Sequence, residues 1–324
     1  MSTTPEVIQA FADMVAMWQM QEYIFISFFA FYAYYVITTL EEEVSIIFPE
    51  RWNRGAALYM VIRYGTLVYI ALHLSRDYRN YFSISPSGCK ALAVLHTAAR
   101  WTSVLASHFL LGVCLSALLQ AGILWSAVIT LLGFAIPFVT AVCEIVATVQ
   151  YPAQPTTPSY KVLGYPCYVP SSTQWSEQTI AHAGRHIRAY MNLAATLVLA
   201  LVGVATLAVR YKGHRGQLVQ VIRRDGGAYY LSLLAIRLAL AVIYTPTLQS
   251  ALEIDGNPVA LLSLMANDII IQILAQRLLI NMRKVDYVGP ESVVSKLLFP
   301  RCTSDSGDDG EEGGDVPFGV MYRT

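Results

Sequence analysis

The sequence predicts an all-α membrane protein, a bundle of seven transmembrane helices, and three observations carry that prediction. Seven long apolar stretches run through the 324 residues, the polar sequence between most of them is too short to fold by itself, and the one long connection is rich in proline. Composition agrees: 55% hydrophobic and 14% charged residues, with a mean hydropathy of +0.48, are foreign to a water-soluble domain of this size. The formal net charge is zero, so no global field favours nucleic acid or an acidic partner.

A spanning helix needs about 20 mostly apolar residues at about 1.5 Å rise each. The candidates are residues 23–40, 55–74, 91–119, 123–149, 189–209, 228–247 and 258–281. Residues 102–149 are almost uninterrupted and too long for one crossing, so the break is placed at Leu119, Gln120, Ala121 and Gly122. No Lys or Arg precedes the first run and no small-residue cleavage site follows it closely, so the first span is expected to serve as its own insertion signal. Between the fourth and fifth spans, Pro152, Pro155, Pro158, Pro166 and Pro170 predict an irregular cap, because proline at this density breaks both helix and ladder. The chain thus divides into a short outer segment 1–22, a bundle 23–284 and a tail 285–324. In the tail, residues 291–299 suit a short interfacial helix, and the acidic, glycine-rich stretch after about residue 302 is expected to be disordered.

Basic residues near span ends stay on the cytoplasmic side. With the N-terminus outside, Arg76, Arg79, Lys90, Lys161, Arg185 and Arg188 are outer. Arg51, Arg54, Arg210, Lys212, Arg215, Arg223, Arg224, Arg283, Lys284, Lys296 and Arg301 are then inner, the larger group. An outside N-terminus and cytoplasmic C-terminus over seven passes is a receptor-like layout.

The segment YYVITTLEEEVSIIFPERW, Tyr34 to Trp52, followed by Arg63 and Tyr64, resembles the opening signature of the fungal, basidiomycete-type membrane-protein family defined by the domain of unknown function 6533. Tyr34, Thr39, Leu40, Glu43, Trp52, Arg63 and Tyr64 match that pattern, whereas Tyr35 stands where Asp is usual and Phe48 where Trp is usual. Arg224, Asp225, Gly226, Tyr229 and Tyr230 at the start of the sixth span, and Arg277, Leu278, Leu279, Asn281 and Arg283 at the end of the seventh, extend the likeness. The resemblance implies a multi-pass fungal membrane protein, and the family brings no established activity with it.

Charges supply the candidate sites. Glu43, Arg224, Asp225, Arg277 and Arg283 form a cytoplasmic-face motif, to be read as a charge latch between helix ends or as interfacial anchors. Arg63, Arg237 and Asp268 lie about eight to ten residues inside their spans, roughly 12–15 Å deep. They form an intramembrane cluster, with Asp268 paired to Arg237, or else the arginines snorkel separately. Arg100 and Glu144 share a depth near the outer interface, where snorkelling accounts for them.

Catalytic signatures are missing: no Gly-rich phosphate loop, HExxH helix, GxSxG elbow or CxxC pair occurs. No enzyme activity, cofactor or metal is therefore expected. His182 and His186 are spaced as two ligands on one helix face, without a convincing third nearby, and read as an interfacial pair; His96 and His108 read as interhelical hydrogen-bonding groups. The seventh span holds no lysine for a retinal Schiff base. Phe25, Phe28, Phe29, Phe31, Tyr32, Tyr34 and Tyr35 read as lipid-facing and belt aromatics. Cys114 and Cys143 fall within spans and Cys302 on the reducing side, which leaves Cys89 and Cys167 as the pair on the oxidising side and predicts a disulfide between them.

The function so predicted is receptor-like or sensory, in the plasma membrane rather than an endomembrane. The expected partners are the lipid bilayer, an unidentified ligand, and a cytoplasmic protein at the basic loop 210–227 and tail. A transporter or channel using Arg63, Arg237 and Asp268, or a membrane scaffold without ligand, are the alternatives.

Overall fold

A computed structural model describes residues 5–47, 54–118, 123–170, 174–175, 179, 190–198, 201–202, 227–243, 245 and 257–288. Among them every regular element is helical. Four helices are long and apolar enough to cross a membrane, Arg54–Asp77, Pro86–Ser116, Gly133–Gln150 and Pro258–Lys284, and Leu231–Ile243 is a shorter apolar helix. These mark the chain as an integral membrane protein.

Helix α1 (Pro5–Thr38) opens with proline, whose missing N–H is no loss in a first turn. It starts 18 residues before the predicted first span, so from Pro5 onward the outer segment is itself helix. After Pro5 nothing in residues 6–22 interrupts it, the run containing neither Pro nor Gly. Thr38 and Thr39 end it, both hydroxyls bonding back to the Tyr35 carbonyl at 3.0 and 2.8 Å. A short turn α2 (Leu40–Glu42) passes into a π-helical turn over Glu43–Ile47. Then come α3 (Arg54–Asp77), α4 (Pro86–Leu118), α5 (Ile123–Gln150) and the loop helix α6 (Pro158–Val162). The predicted break at Leu119–Gly122 lies outside the described residues, between the ends of α4 and α5.

Residues 190–198 and 201–202 are helical within the predicted fifth span. Helix α7 (Gly227–Ile243) covers most of the sixth. The seventh begins at α8 (Pro258–Met265), capped by Asn257, whose side chain accepts from the Val259 N–H, with Pro258 in the first turn. A second π-helical turn, Ala266–Ile270, joins α8 to α9 (Ile271–Val288).

Helix α4 makes its most extensive contacts with α5 and α3. Small residues allow this, because lipid-solvated helices associate through close backbone approach. A β-carbon on Gly112 would lie 2.9 Å from the Thr130 Cα, and one on Gly65 2.6 Å from the Ser103 hydroxyl. Tyr59, Ile62, Leu110, Leu111, Leu278 and Leu279 build the core toward the Arg54 end of α3. Phe29, Tyr32, Tyr69, Met265 and Ile269 build it toward the middle. The aromatic stripe of α1 is therefore split. Phe29, Tyr32 and Tyr35 are buried in the bundle, correcting the lipid-facing reading, whereas Phe31 and Tyr34 are 46% and 66% exposed.

At the Asp77 end, Cys89 is bonded to Cys167, with Cα atoms 5.6 Å apart. The same end is joined by the Tyr81 N–H donating to the Gly164 carbonyl at 3.0 Å. Gly164 has φ +85°, and its missing β-carbon leaves room for the Tyr81 ring.

Two outcomes follow. Gly112→Ala is expected to destabilise the detergent-solubilised protein by about 1–3 kcal/mol, the usual range for overpacking. Gly65→Ala should do less, because the Ser103 hydroxyl can rotate away; equal losses in thermal unfolding would contradict a backbone contact at Gly112. Cys89→Ala should remove a constraint worth on the order of 4 kcal/mol by chain entropy, and non-reducing peptide mapping of the parent protein should yield a linked Cys89/Cys167 peptide.

Candidate functional site

The loop end of the bundle holds an open cavity of about 740 Å³ whose lining comes from α1, α3, α4, α5, α7, α8, the π-helical turn after it, Asn192 and the loop around α6. Its floor holds charge. The Arg100 Nε and Nη2 donate to the two carboxylate oxygens of Asp268 at 2.7 and 3.2 Å, a bidentate pair between α4 and the π-helical turn. Glu144 of α5 joins them, accepting from the Trp101 indole at 2.6 Å and from Arg100 Nη1 at 3.4 Å. The Arg100 and Glu144 side chains keep 24% and 16% of their surface exposed, against 4% for Asp268. These two are thus the solvent-reached part of the group. Their role here corrects their reading as snorkelling residues.

Opposite the floor, the loop supplies Tyr165, Tyr168 and Trp175. The start of that loop is anchored by Glu22 of α1. Glu22 accepts from the Tyr165 hydroxyl at 2.7 Å and forms an ion pair with Arg79. That bond from Glu22 holds the Arg79 guanidinium above its ordinary pKa. Burial, reinforced by the same carboxylate, raises the Tyr165 phenol, and burial pushes Tyr160 up to about 12. Trp18 of α1 packs on both rings, with centroids 4.8 Å from Tyr160 and 5.5 Å from Tyr165. The disulfide, the Glu22 contacts and this aromatic group hold the loop over the cavity from separate points.

Arg63, Arg237 and Asp268 do not form one cluster. Asp268 pairs with Arg100 rather than with Arg237, and Arg237 approaches the His108 Nε2 at 3.2 Å while lining the same cavity. Arg63 lies apart, completely buried with Glu43 at 2.8 Å. Of the latch residues, Glu43 is paired with Arg63 of the next helix, while the basic loop lies outside the described residues. Arg63 Nη1 donates to the Thr39 and Tyr59 hydroxyls at 2.8 and 2.7 Å, and its Nη2 to the Val36 carbonyl at 2.8 Å. Tyr64 donates to Glu43 at 3.1 Å. Four residues that carry the family resemblance, Thr39, Glu43, Arg63 and Tyr64, thus share one polar network. Of the other inner-face residues, Arg277 is exposed, Arg283 is buried, and Arg224 and Asp225 lie outside the described residues, as do His182 and His186.

Between the two charge groups, Gln272 accepts from Ser107 at 2.5 Å, and Gln276 donates to the Tyr32 hydroxyl at 2.9 Å. Tyr32 passes the chain on by donating to the Arg63 carbonyl at 2.9 Å. His73 and Asp77, a pair that the sequence reading passed over, contact His96 in the cavity wall. Their i, i+4 spacing at the end of α3 was the legible signal.

No family model, curated protein or solved structure matches the chain at a significant level.

Removing one partner of a fully buried pair leaves an uncompensated charge, at about 3–5 kcal/mol. Arg63→Met and Glu43→Gln should each destabilise on that scale, and the double variant should regain part of the loss in thermal unfolding. Strict additivity of the two would show that the pair does not act as one.

Proposed function

We propose that this chain is a receptor-like seven-span membrane protein, of the fungal family its signature resembles, that senses a small organic molecule in the cavity under the loop. The observation that carries the reading is the cavity itself. Its volume of about 740 Å³ falls in the about 300–1,000 Å³ range of small-molecule sites. It combines aromatic walls with a few placed charges, and a loop fastened by a disulfide covers it. In this reading the disulfide end is extracellular, the Arg54 end of α3 cytoplasmic, the membrane the plasma membrane, and the chain non-enzymatic. The predicted fifth and sixth spans and α1 complete the seven passes.

The ligand suited to such a lining has an apolar or aromatic body and a polar group able to compete for Arg100, Asp268 or Glu144. In this reading binding is felt along the helix that carries Asp268, where Asp268, Gln272 and Gln276 recur at every fourth position and bond in turn to Arg100, to Ser107 and to Tyr32, the last of which donates to the Arg63 carbonyl. That succession of buried polar contacts along one helix is what supports signalling from the cavity to the inner face in this reading, where the basic loop 210–227 would meet a protein partner.

A tag inserted within residues 156–172 should be accessible in intact cells, and one within 211–226 only after permeabilisation; both on one side would end the seven-pass reading. In a thermal-shift screen, a compound that stabilises the purified protein should lose that effect in Trp101→Ala and keep it in Leu231→Ala, a change on an exposed face of α7. Accumulation of the same compound inside proteoliposomes would make the protein a transporter instead.

A further inference from the structure

We propose that His73, Asp77 and His96 bind a divalent transition-metal ion of the zinc class in the wall of the cavity. His73 and Asp77 stand one turn apart on α3, so their side chains share a face. His96 faces them from α4. The His73 Nδ1 lies 3.1 Å from the Asp77 Oδ2 and 3.3 Å from the His96 Nε2, and one ligand atom from each residue falls within 4.8 Å of the others.

Proton counting makes this an awkward hydrogen-bonded group and a natural cation site. Both short contacts use the same atom, Nδ1 of His73, which carries at most one proton. If that proton goes to Asp77, the nitrogen has none to give His96, and a proton on His96 Nε2 would then meet an N–H instead of a lone pair. One cation at the centre receives a lone pair from each residue and removes the conflict. The spacing suits it. Zinc bonds of about 2.0–2.1 Å at tetrahedral angles place ligand atoms about 3.3 Å apart, against 3.1 and 3.3 Å for the two His73 contacts, with the Asp77 and His96 atoms within 4.8 Å of each other and so drawn together by a bound ion.

The surroundings orient the ligands. Phe25 and Phe29 stand edge-on to the His73 ring at 4.8 and 5.2 Å, and Tyr69 packs on the His96 ring at 5.0 Å. Arg76 donates to the Asp77 Oδ1 at 2.5 Å and to Oδ2 at 2.8 Å, fixing the carboxylate. Its positive charge also opposes a hard cation held mainly by charge. Two imidazoles with a single carboxylate favour zinc, copper or nickel over calcium or magnesium in any case.

All three residues line the cavity. An ion there is reached from it, and three protein ligands leave a position open toward it, as in zinc sites that accept a water or a ligand atom. The site stands independently of whether the cavity serves a receptor.

The test uses the full-length protein in detergent, stripped with chelator and then dialysed against Zn²⁺, with bound metal counted by mass spectrometry and Co²⁺ substitution followed by visible absorption. One Zn²⁺ per chain is expected, with a tetrahedral-type Co²⁺ spectrum. His96→Gln keeps a hydrogen-bonding side chain but loses the imidazole, so it should weaken binding by about tenfold or more while the melting temperature and the Cys89/Cys167 bridge stay native. His73→Ala should do the same, and His182→Ala together with His186→Ala should leave uptake unchanged. Absence of uptake by natively folded protein overturns the proposal. So does uptake that persists in both His96→Gln and His73→Ala, or that disappears in the His182/His186 variant.

Discussion

A charged side chain inside an apolar bundle must have a partner, and among the described residues two arginine–carboxylate pairs that join separate helices bear on how those helices stand against one another. Arg63 with Glu43 ties α3 to the turn that follows α1, both side chains without exposed surface. Arg100 with Asp268 ties α4 to the π-helical turn between α8 and α9. Such pairs are weak evidence for net stability, since desolvation offsets most of their attraction. Their effect is on specificity: a helix that rotated or slid by one residue would bury an unpaired charge, so alternative registers are excluded at several kcal/mol each.

Both carboxylates sit on π-helical turns, Glu43 at the start of one and Asp268 within the other. A π turn adds a residue to the local repeat and so rotates everything beyond it by about 100° relative to a straight α-helix. This lets the seventh helix present Asp268 to Arg100 and still bury Gln272 and Gln276 against α4 and α1 farther down. Single π turns recur at functional sites, and here the turn that holds Asp268 lies at the cavity floor.

The same turns explain what residue spacing could and could not reveal. Apolar length marks the strongly hydrophobic spans, and residues 123–149 and 258–281 coincide closely with helices Ile123–Gln150 and Pro258–Val288 because length and hydropathy carry the signal without reference to phase. The pairing of Cys89 with Cys167 needs only the side of the membrane on which each lies. Ion-pair partners need phase and helix order. Asp268 and Arg100 are 168 residues apart, and a helical wheel drawn with 3.6 residues per turn points Asp268 wrongly once a π turn intervenes. Three consecutive glutamates at the end of a span read from sequence as a latch or as a solvated helix end. Only the first two behave that way: Glu41 is exposed and Glu42 meets Lys284 at the half-exposed surface.

The loop end departs from the rest in how it is held. Below it, helices meet through close-packed glycine contacts and buried polar rows; around the cavity, the residues that fasten the loop are Glu22, Arg79, Tyr165, Trp18 and a covalent bridge. A cavity of this volume lacks the close packing found elsewhere in the bundle, so restraint of the loop beside it falls to specific contacts. The disulfide and the Glu22 contacts supply that restraint, Glu22 and Tyr165 themselves lining the cavity along with the charged floor and the His73, Asp77 and His96 wall. Polar and covalent fastenings of this kind fix the loop without filling the space beside it, which is why the cavity and the restraint share the same end of the bundle.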